Sequence, residues 1–238
     1  MRIAGLIAAT VLVAACSQSV GGEAEPSASL SAAPPSTTPP SSTSSTPTSA
    51  VPTPGATGRA PGPSAPIDEV IAWIEAGTAT DPGAFHEAYL DGTITSLGDD
   101  IAFTASSGAR EGTTQCMTDA TYNEGALTCL VDLASPAPRP TGAEGMWKPG
   151  WIDYSGTNVQ VGSLRGDPGP FIKGVGPLLA DGQTLAFADN RCRSDASGLF
   201  CVNYAHRSAV QISTAGVVPF GCLQSVAPPP QIGAMFSC

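Results

Sequence analysis

Two hydrophobic periodicities divide the chain beyond residue 66. The first is helical: Ile67, Val70, Ile71 and Ile74 fall at i, i+3, i+4 and i+7, which places them on one face of an α-helix. Asp68 and Glu69 sit in the first turn, where the helix dipole favours acids, and Gly77 supplies a stop. A second helix is expected after Thr80 or Asp81, with Pro82 in its first turn and AFHEAYL running towards Gly92. Together these segments predict a helical hairpin over 67–92.

Beyond Gly92 the pattern changes to short β-type runs cut by Gly, Pro and Asp. Strands are expected at 93–96, 101–104, 126–133, 151–154, 157–161, 184–188, 198–204, 209–213 and 217–220. SPAPRP at 135–140 and GDPGP at 166–170 interrupt them, because proline fixes φ and lacks an amide donor. One unit occurs twice. CMTDATYNEGALTC at 116–129 and CRSDASGLFC at 192–201 both open Cys-x-(Ser/Thr)-Asp-Ala and close on Gly, Leu and Cys. Apolar runs precede them, IAFT at 101–104 and LAFA at 185–188. The expected fold is α+β, mainly β: an N-terminal helical hairpin packed on a β-rich, sandwich-like domain with a duplicated cysteine hairpin.

The first 66 residues read differently. Arg2 precedes an apolar run of 13 residues, IAGLIAATVLVAA, too short to span a bilayer. The run ends Val13-Ala14-Ala15-Cys16, which resembles the bacterial lipobox. That resemblance implies a signal peptide over 1–15 and a diacylglycerol on the thiol of Cys16, and two acyl chains suffice for stable anchoring. Residues 16–66 form a Pro/Ser/Thr-rich tether without an aromatic residue. Such a composition buries too little apolar surface to offset its ordering entropy. Stretched in polyproline II form, it reaches on the order of 100 Å. Its Ser/Thr content reads either as an O-glycosylated stalk or as a bare spacer. Residues 67–238 are one domain's worth of chain.

Seven cysteines are present. With Cys16 given to the lipid, six remain, an even number that reads as a disulfide framework in an exported protein. A hairpin with a cysteine at each end brings its own two together. The repeat therefore predicts Cys116–Cys129 and Cys192–Cys201, leaving Cys222–Cys238 to staple the C-terminal loop. Each bridge adds about 2–4 kcal/mol. Zinc is not expected, since there is no Cys-x-x-Cys and only two histidines exist.

Charge narrows the partners. The chain carries 20 acidic and 10 basic residues, a net −10. Two acids (Glu23, Glu25) and two bases (Arg2, Arg59) precede residue 67, so the domain holds 18 against 8. Nucleic acid, which requires a basic footprint, is excluded as an expected partner.

Candidate chemistry is sparse. His86 falls in the second expected helix. His206, in NYAHRS, together with Ser208 and an aspartate, is the basis of a hydrolase reading, although no nucleophile elbow is present. Asp99 and Asp100 follow Leu97-Gly98 in an expected turn. Asp119 and Asp195 hold matching places in the two repeats, where local bonds to turn amides account for them. The loop 166–171 is either a structural corner or a rigid presenter of Asp167 and Phe171. Trp147 and Trp151 flank Lys-Pro-Gly and are either a sugar-stacking platform or core and edge-covering side chains. The candidate ligand face is thus Trp147, Trp151, Asp167 and Phe171. No catalytic set, metal site or cofactor is assigned.

The lipobox, the tether and the repeated cysteine hairpins resemble those of actinobacterial, especially mycobacterial, cell-envelope lipoproteins. Cys192, Ser194, Gly198, Cys201 and Asn203 match a C-terminal pattern of such secreted proteins. The resemblance implies a cell-membrane location, lipid-anchored and facing the cell-wall side, and no activity. The expected function is a non-enzymatic binding or structural module for a wall polymer or partner protein. The alternatives are a small extracytoplasmic hydrolase using His206 and a plain spacer or surface antigen.

Overall fold

The computed structural model describes residues 58–142 and 144–238. The expected signal segment, Cys16 and the expected tether up to residue 57 lie outside the described residues. One helix, α1 (Ile67–Glu75), is followed by a short strand β1 (Thr78–Ala79) and a 3-10 turn, Pro82–Phe85. A small hairpin comes next, β2 (Glu87–Leu90) and β3 (Thr93–Ser96). The remainder is mainly β, in two five-stranded antiparallel meanders.

The first meander is β4 (Ala102–Ser106), β5 (Thr113–Met117), β6 (Leu127–Leu130), β7 (Met146–Tyr154) and β8 (Asn158–Arg165). The second is β9 (Gln183–Phe187), β10 (Asn190–Asp195), β11 (Gly198–Asn203), β12 (Ser208–Ser213) and β13 (Gly216–Gly221). The C-terminal strands β14 (Gln224–Val226) and β15 (Ile232–Ser237) return to pair beside β8, giving a seven-stranded sheet. Strand β1 adds in parallel to β9, giving a six-stranded one.

The cysteine units occupy corresponding places in the two meanders. Phe103, Cys116, Cys129, Ile152 and Val161 stand opposite one another across the first. Leu185, Cys192, Cys201 and Val210 do so across the second. All nine residues belong to one buried cluster, so the two sheets face each other over a shared core. Disulfides close Cys116–Cys129, Cys192–Cys201 and Cys222–Cys238, the three expected pairs. Tyr154 on β7 also crosses the core: its hydroxyl donates to the Ser208 carbonyl on β12 at 2.9 Å and lies 2.8 Å from Ser208 Oγ. Burial lifts its pKa to about 12, against the lowering effect of the Ser208 bond.

The outer face of the six-stranded sheet is covered by α1. Val70, Trp73 and Ile74 pack on Phe200, Val202, Ala209 and Phe220, as the i, i+3, i+4 spacing requires. Arg193 stacks 3.9 Å from the Trp73 ring centroid and hydrogen-bonds the Trp73 carbonyl. Desolvation lowers its pKa. Residues 58–66, which composition places in the tether, are part of this packing: Pro61 is buried, Ala60 and Ala65 are partly so, and Trp73 Nε1 donates to the Gly58 carbonyl at 3.0 Å.

The helical hairpin expected over 67–92 is not formed. Only its first arm is helical. AFHEAYL becomes a 3-10 turn and β2, with Ala88 buried between exposed Glu87 and Tyr89. The cause is local. Asp91 (φ 48°) and Gly92 (φ 81°) both adopt positive φ, the two-residue turn that joins twisted antiparallel strands and for which Asp-Gly is favoured.

Candidate functional site

Along β7, Ile152 and Tyr154 point into the core, so Trp151 and Asp153 lie on the outer face of the seven-stranded sheet. Two covering segments close over them. One is a four-residue helical turn, α2 (Ala120–Asn123). The other is the 3-10 turn Gly169–Lys173, with Pro170 in its first turn. Phe171 meets the Trp151 ring edge-on at 5.4 Å, and Tyr122 stands 6.5 Å away. The Arg165 guanidinium lies 4.2 Å from the Trp151 ring centroid. Trp151 is therefore only 2% exposed.

The polar atoms of this cluster are matched to one another. Asp153 accepts hydrogen bonds from Arg165 Nη2 (2.6 Å), Thr128 Oγ1 (2.6 Å) and Trp151 Nε1 (3.0 Å). Arg165 Nη1 donates to the Tyr122 hydroxyl at 2.9 Å. Asp119 caps α2 by accepting from the Thr121 and Tyr122 amides, and pairs with Lys173 Nζ at 2.7 Å. Burial on its own would raise the Asp119 pKa. The bonds from Lys173 and Thr121 and the Lys173 charge outweigh it and hold the carboxyl at about 2.

A different arrangement begins on the N-terminal side of Trp151. The pairing of β7 with β8 shifts register between Lys148 and Ile152, at Pro149-Gly150. Such a break within a strand bends it and re-aims its side chains. A Cβ on Gly150 would overlap the Val131 carbonyl oxygen, so the chains approach there as only glycine allows. Beside the break lies a cleft of about 370 Å³, with Leu130, Pro149 and Trp151 among its apolar lining. Its polar lining is Thr113, Gln115, Asp132 and Lys148. Among the described residues none of these four side chains has a hydrogen-bond or ion-pair partner in the protein. Asp132 and Lys148 share the cleft without pairing.

The four residues of the expected ligand face do not form one surface. Trp151 and Phe171 meet, but under a cover. Trp147 donates from Nε1 to the Ala137 carbonyl at 3.2 Å, and its ring lies against Gly162 and Gly233. It covers the sheet and does not stack beside Trp151. Asp167 is exposed and accepts from the Gly169 amide at 2.8 Å, fixing its own corner.

The histidines have local partners. His86 Nδ1 lies 2.9 Å from the Asp100 carbonyl oxygen, outside any helix. His206 is exposed in the turn between β11 and β12, with Nδ1 2.9 Å from Asn203 Oδ1. The Ser208 hydroxyl points inward, to the Gly156 carbonyl and Tyr154. The hydroxyl that the hydrolase reading requires is thus turned away from His206 and buried. Asp195 accepts from the Ser197 amide at 2.9 Å, the turn bond expected in both repeats. Asp100 follows the turn at 98–99 and accepts from Thr118 Oγ1 and the Ala120 amide.

Sequence reasoning missed Gln115, Asp132 and Lys148 because they are separated along the chain and belong to no motif. The one signal was Pro149-Gly150 between Trp147-Lys148 and Trp151-Ile152, which marks a bulge. No protein-family model, curated protein or solved structure matches this chain.

Proposed function

We propose that the chain is a lipid-anchored extracytoplasmic protein of the cell envelope whose domain is a non-enzymatic binding module for a hydroxylated wall polymer. The cleft beside Trp151 carries the reading. It offers an apolar floor with an amide, a carboxylate, an ammonium and a hydroxyl, all without protein partners, which suits a ligand rich in hydroxyl groups. Its walls are strands β5, β6 and β7, held by the Cys116–Cys129 bridge. A rigid frame of that kind limits the entropy lost on binding. Anchoring through Cys16 keeps the domain at the membrane, and the tether carries it outward into the wall. The disulfides accord with an oxidising compartment.

The test is a titration of the oxidised full chain with solubilised wall polysaccharide fractions. Saturable binding to one fraction, weakened at least tenfold in Gln115→Ala/Lys148→Ala and unchanged in Trp147→Phe, is the expected result. Binding that ignores the double variant overturns the assignment to this cleft. Anchoring is tested separately: Cys16→Ala is released from the membrane fraction, and retention of that variant refutes the lipid reading.

A further inference from the structure

The β2–β3 sheet ends on an unpaired edge. Tyr89 exchanges two backbone hydrogen bonds with Val175, donating at 2.8 Å and accepting at 3.0 Å. Its backbone polar groups therefore point away from β3, and the opposed residues Tyr89 and Ile94 form a non-hydrogen-bonded pair. In such a pair both residues turn N–H and C=O outward. Ile94 thus presents one donor and one acceptor to the free side of β3, where no strand lies among the described residues.

An apolar row leads to that edge. Directly opposed residues share a face, so Val175, Tyr89 and Ile94 line up across three adjacent segments. They are 38%, 39% and 60% exposed. Exposure rises towards the edge and the row stops at Ile94. A strand laid beside β3 would extend it by one residue and shelter Ile94.

The other edges among the described residues are short or obstructed, and β1 has only two residues. Strand β13 carries Pro219. Strand β14 has three residues and is followed by Pro228, Pro229 and Pro230. Beside β4, Thr104 donates to the Pro177 carbonyl and accepts from the Leu179 amide. Strand β3, TITS, has no proline, lysine or bulge to deter pairing.

Charge selects the occupant. From residue 60 to 109 there is no Lys or Arg, while Glu87, Asp91 and Asp99 lie close in sequence to the hairpin. Glu87 lies on the Tyr89 face and accepts from its hydroxyl at 3.0 Å. Lys173, close to Val175 in the chain, is committed to Asp119. We propose that the free edge of β3 is a strand-addition site for an extended segment of a partner protein, with an apolar residue between basic residues two places before and after it. Backbone bonds to Ile94 supply the pairing, and the carboxylates select the flanking cations. A second copy of this chain fits less well, since it brings the same acids to the edge.

The probe is a capped Thr-Lys-Thr-Val-Thr-Lys-Thr peptide, titrated into the isotopically labelled, oxidised full chain and followed by NMR. The peptide is expected to bind saturably, with slowed hydrogen exchange at the Ile94 amide and cleft resonances of Gln115 and Gly150 unmoved. Ile94→Lys, or N-methylation of the peptide amides that face β3, should weaken binding at least tenfold. Full binding of the N-methylated peptide, or no saturable binding of the parent peptide, overturns the proposal. So does an Ile94 amide already protected in a peptide-free chain that self-associates, because a second copy then holds the edge. The cleft plays no part in these readouts, so this inference and the polymer reading fail separately.

Discussion

Lys173 places its Nζ 2.7 Å from Oδ2 of Asp119, and this contact ties the turn carrying Phe171 to the cap of α2. Asp119 is also the repeat position whose only foreseen task was a local turn bond. Its pKa falls from the ordinary 3.8 to about 2. A carboxyl depressed on folding adds stability above about pH 4 and loses it as the pH falls towards 2. With screening at the half-exposed Lys173, the contribution is about 1–2 kcal/mol. Asp119→Asn should lower stability by that amount at pH 7 and by nearly nothing at pH 2. Urea unfolding at the two pH values measures both.

Arg165 should govern the environment of Trp151. Replacing it with Met removes the guanidinium over the ring and one of three donors to Asp153. A cost of about 2 kcal/mol is expected, because a partly buried carboxylate loses its cation. The emission of Trp151 should shift to the red, read in a Trp73→Phe/Trp147→Phe background. An unshifted spectrum would show that the aromatic cover holds without the cation.

The Tyr154 hydroxyl links the sheets, and burial raises its pKa from 10.0 to about 12. A tyrosine raised on folding favours the folded state below about pH 10 through its neutral form. That advantage is lost as the pH climbs through 12. Tyr154→Phe should cost about 1–2 kcal/mol at pH 7, since the Ser208 carbonyl loses a donor. The variant should also lose part of the alkaline instability, seen as a shallower fall in Tm between pH 10 and 12.

The three bridges should reduce in order of access. Cys222 and Cys238 are exposed, whereas Cys116, Cys129, Cys192 and Cys201 are at most 2% exposed. Thiol–disulfide exchange requires a thiolate to reach a sulfur. Under native conditions dithiothreitol should open Cys222–Cys238 alone, detected by alkylation and mass spectrometry. The core pairs should open only with global unfolding.

The places where sequence and structure part have physical causes. The cysteine pairing was legible because the repeated motif marks two hairpins and fixes which cysteines stand opposite. The β4 and β9 strands were legible as apolar runs, IAFT and LAFA. Their partners β5 and β10, TTQCM and NRCRSD, were not, since polar residues carry most of each strand and only a few positions face the core. AFHEAYL has helical propensity, but Asp91-Gly92 closes a tight hairpin and the alternation of Ala88 and Tyr89 then decides. Trp147 and Trp151 are close in sequence, yet the register break between them sends one over Gly162 and the other beneath Arg165. Arg165 and Lys173 reach their carboxylates across 12 and 54 residues, which local spacing does not encode.

Gly150 is where fold and proposed binding meet, and substituting it separates the two. An alanine there would drive its Cβ into the Val131 carbonyl, while the Val131 amide is held by the Gly150 carbonyl at 3.1 Å. Neither strand can yield without loosening the bend that shapes the cleft. Gly150→Ala should therefore cost about 1–3 kcal/mol, as overpacked sites do, and should also weaken polymer binding. Gln115→Ala, which removes a half-buried side chain without a protein partner, should weaken binding while Tm moves little. If Gly150→Ala lost stability but kept full affinity, the cleft would not be the binding surface, because its walls would have moved without consequence.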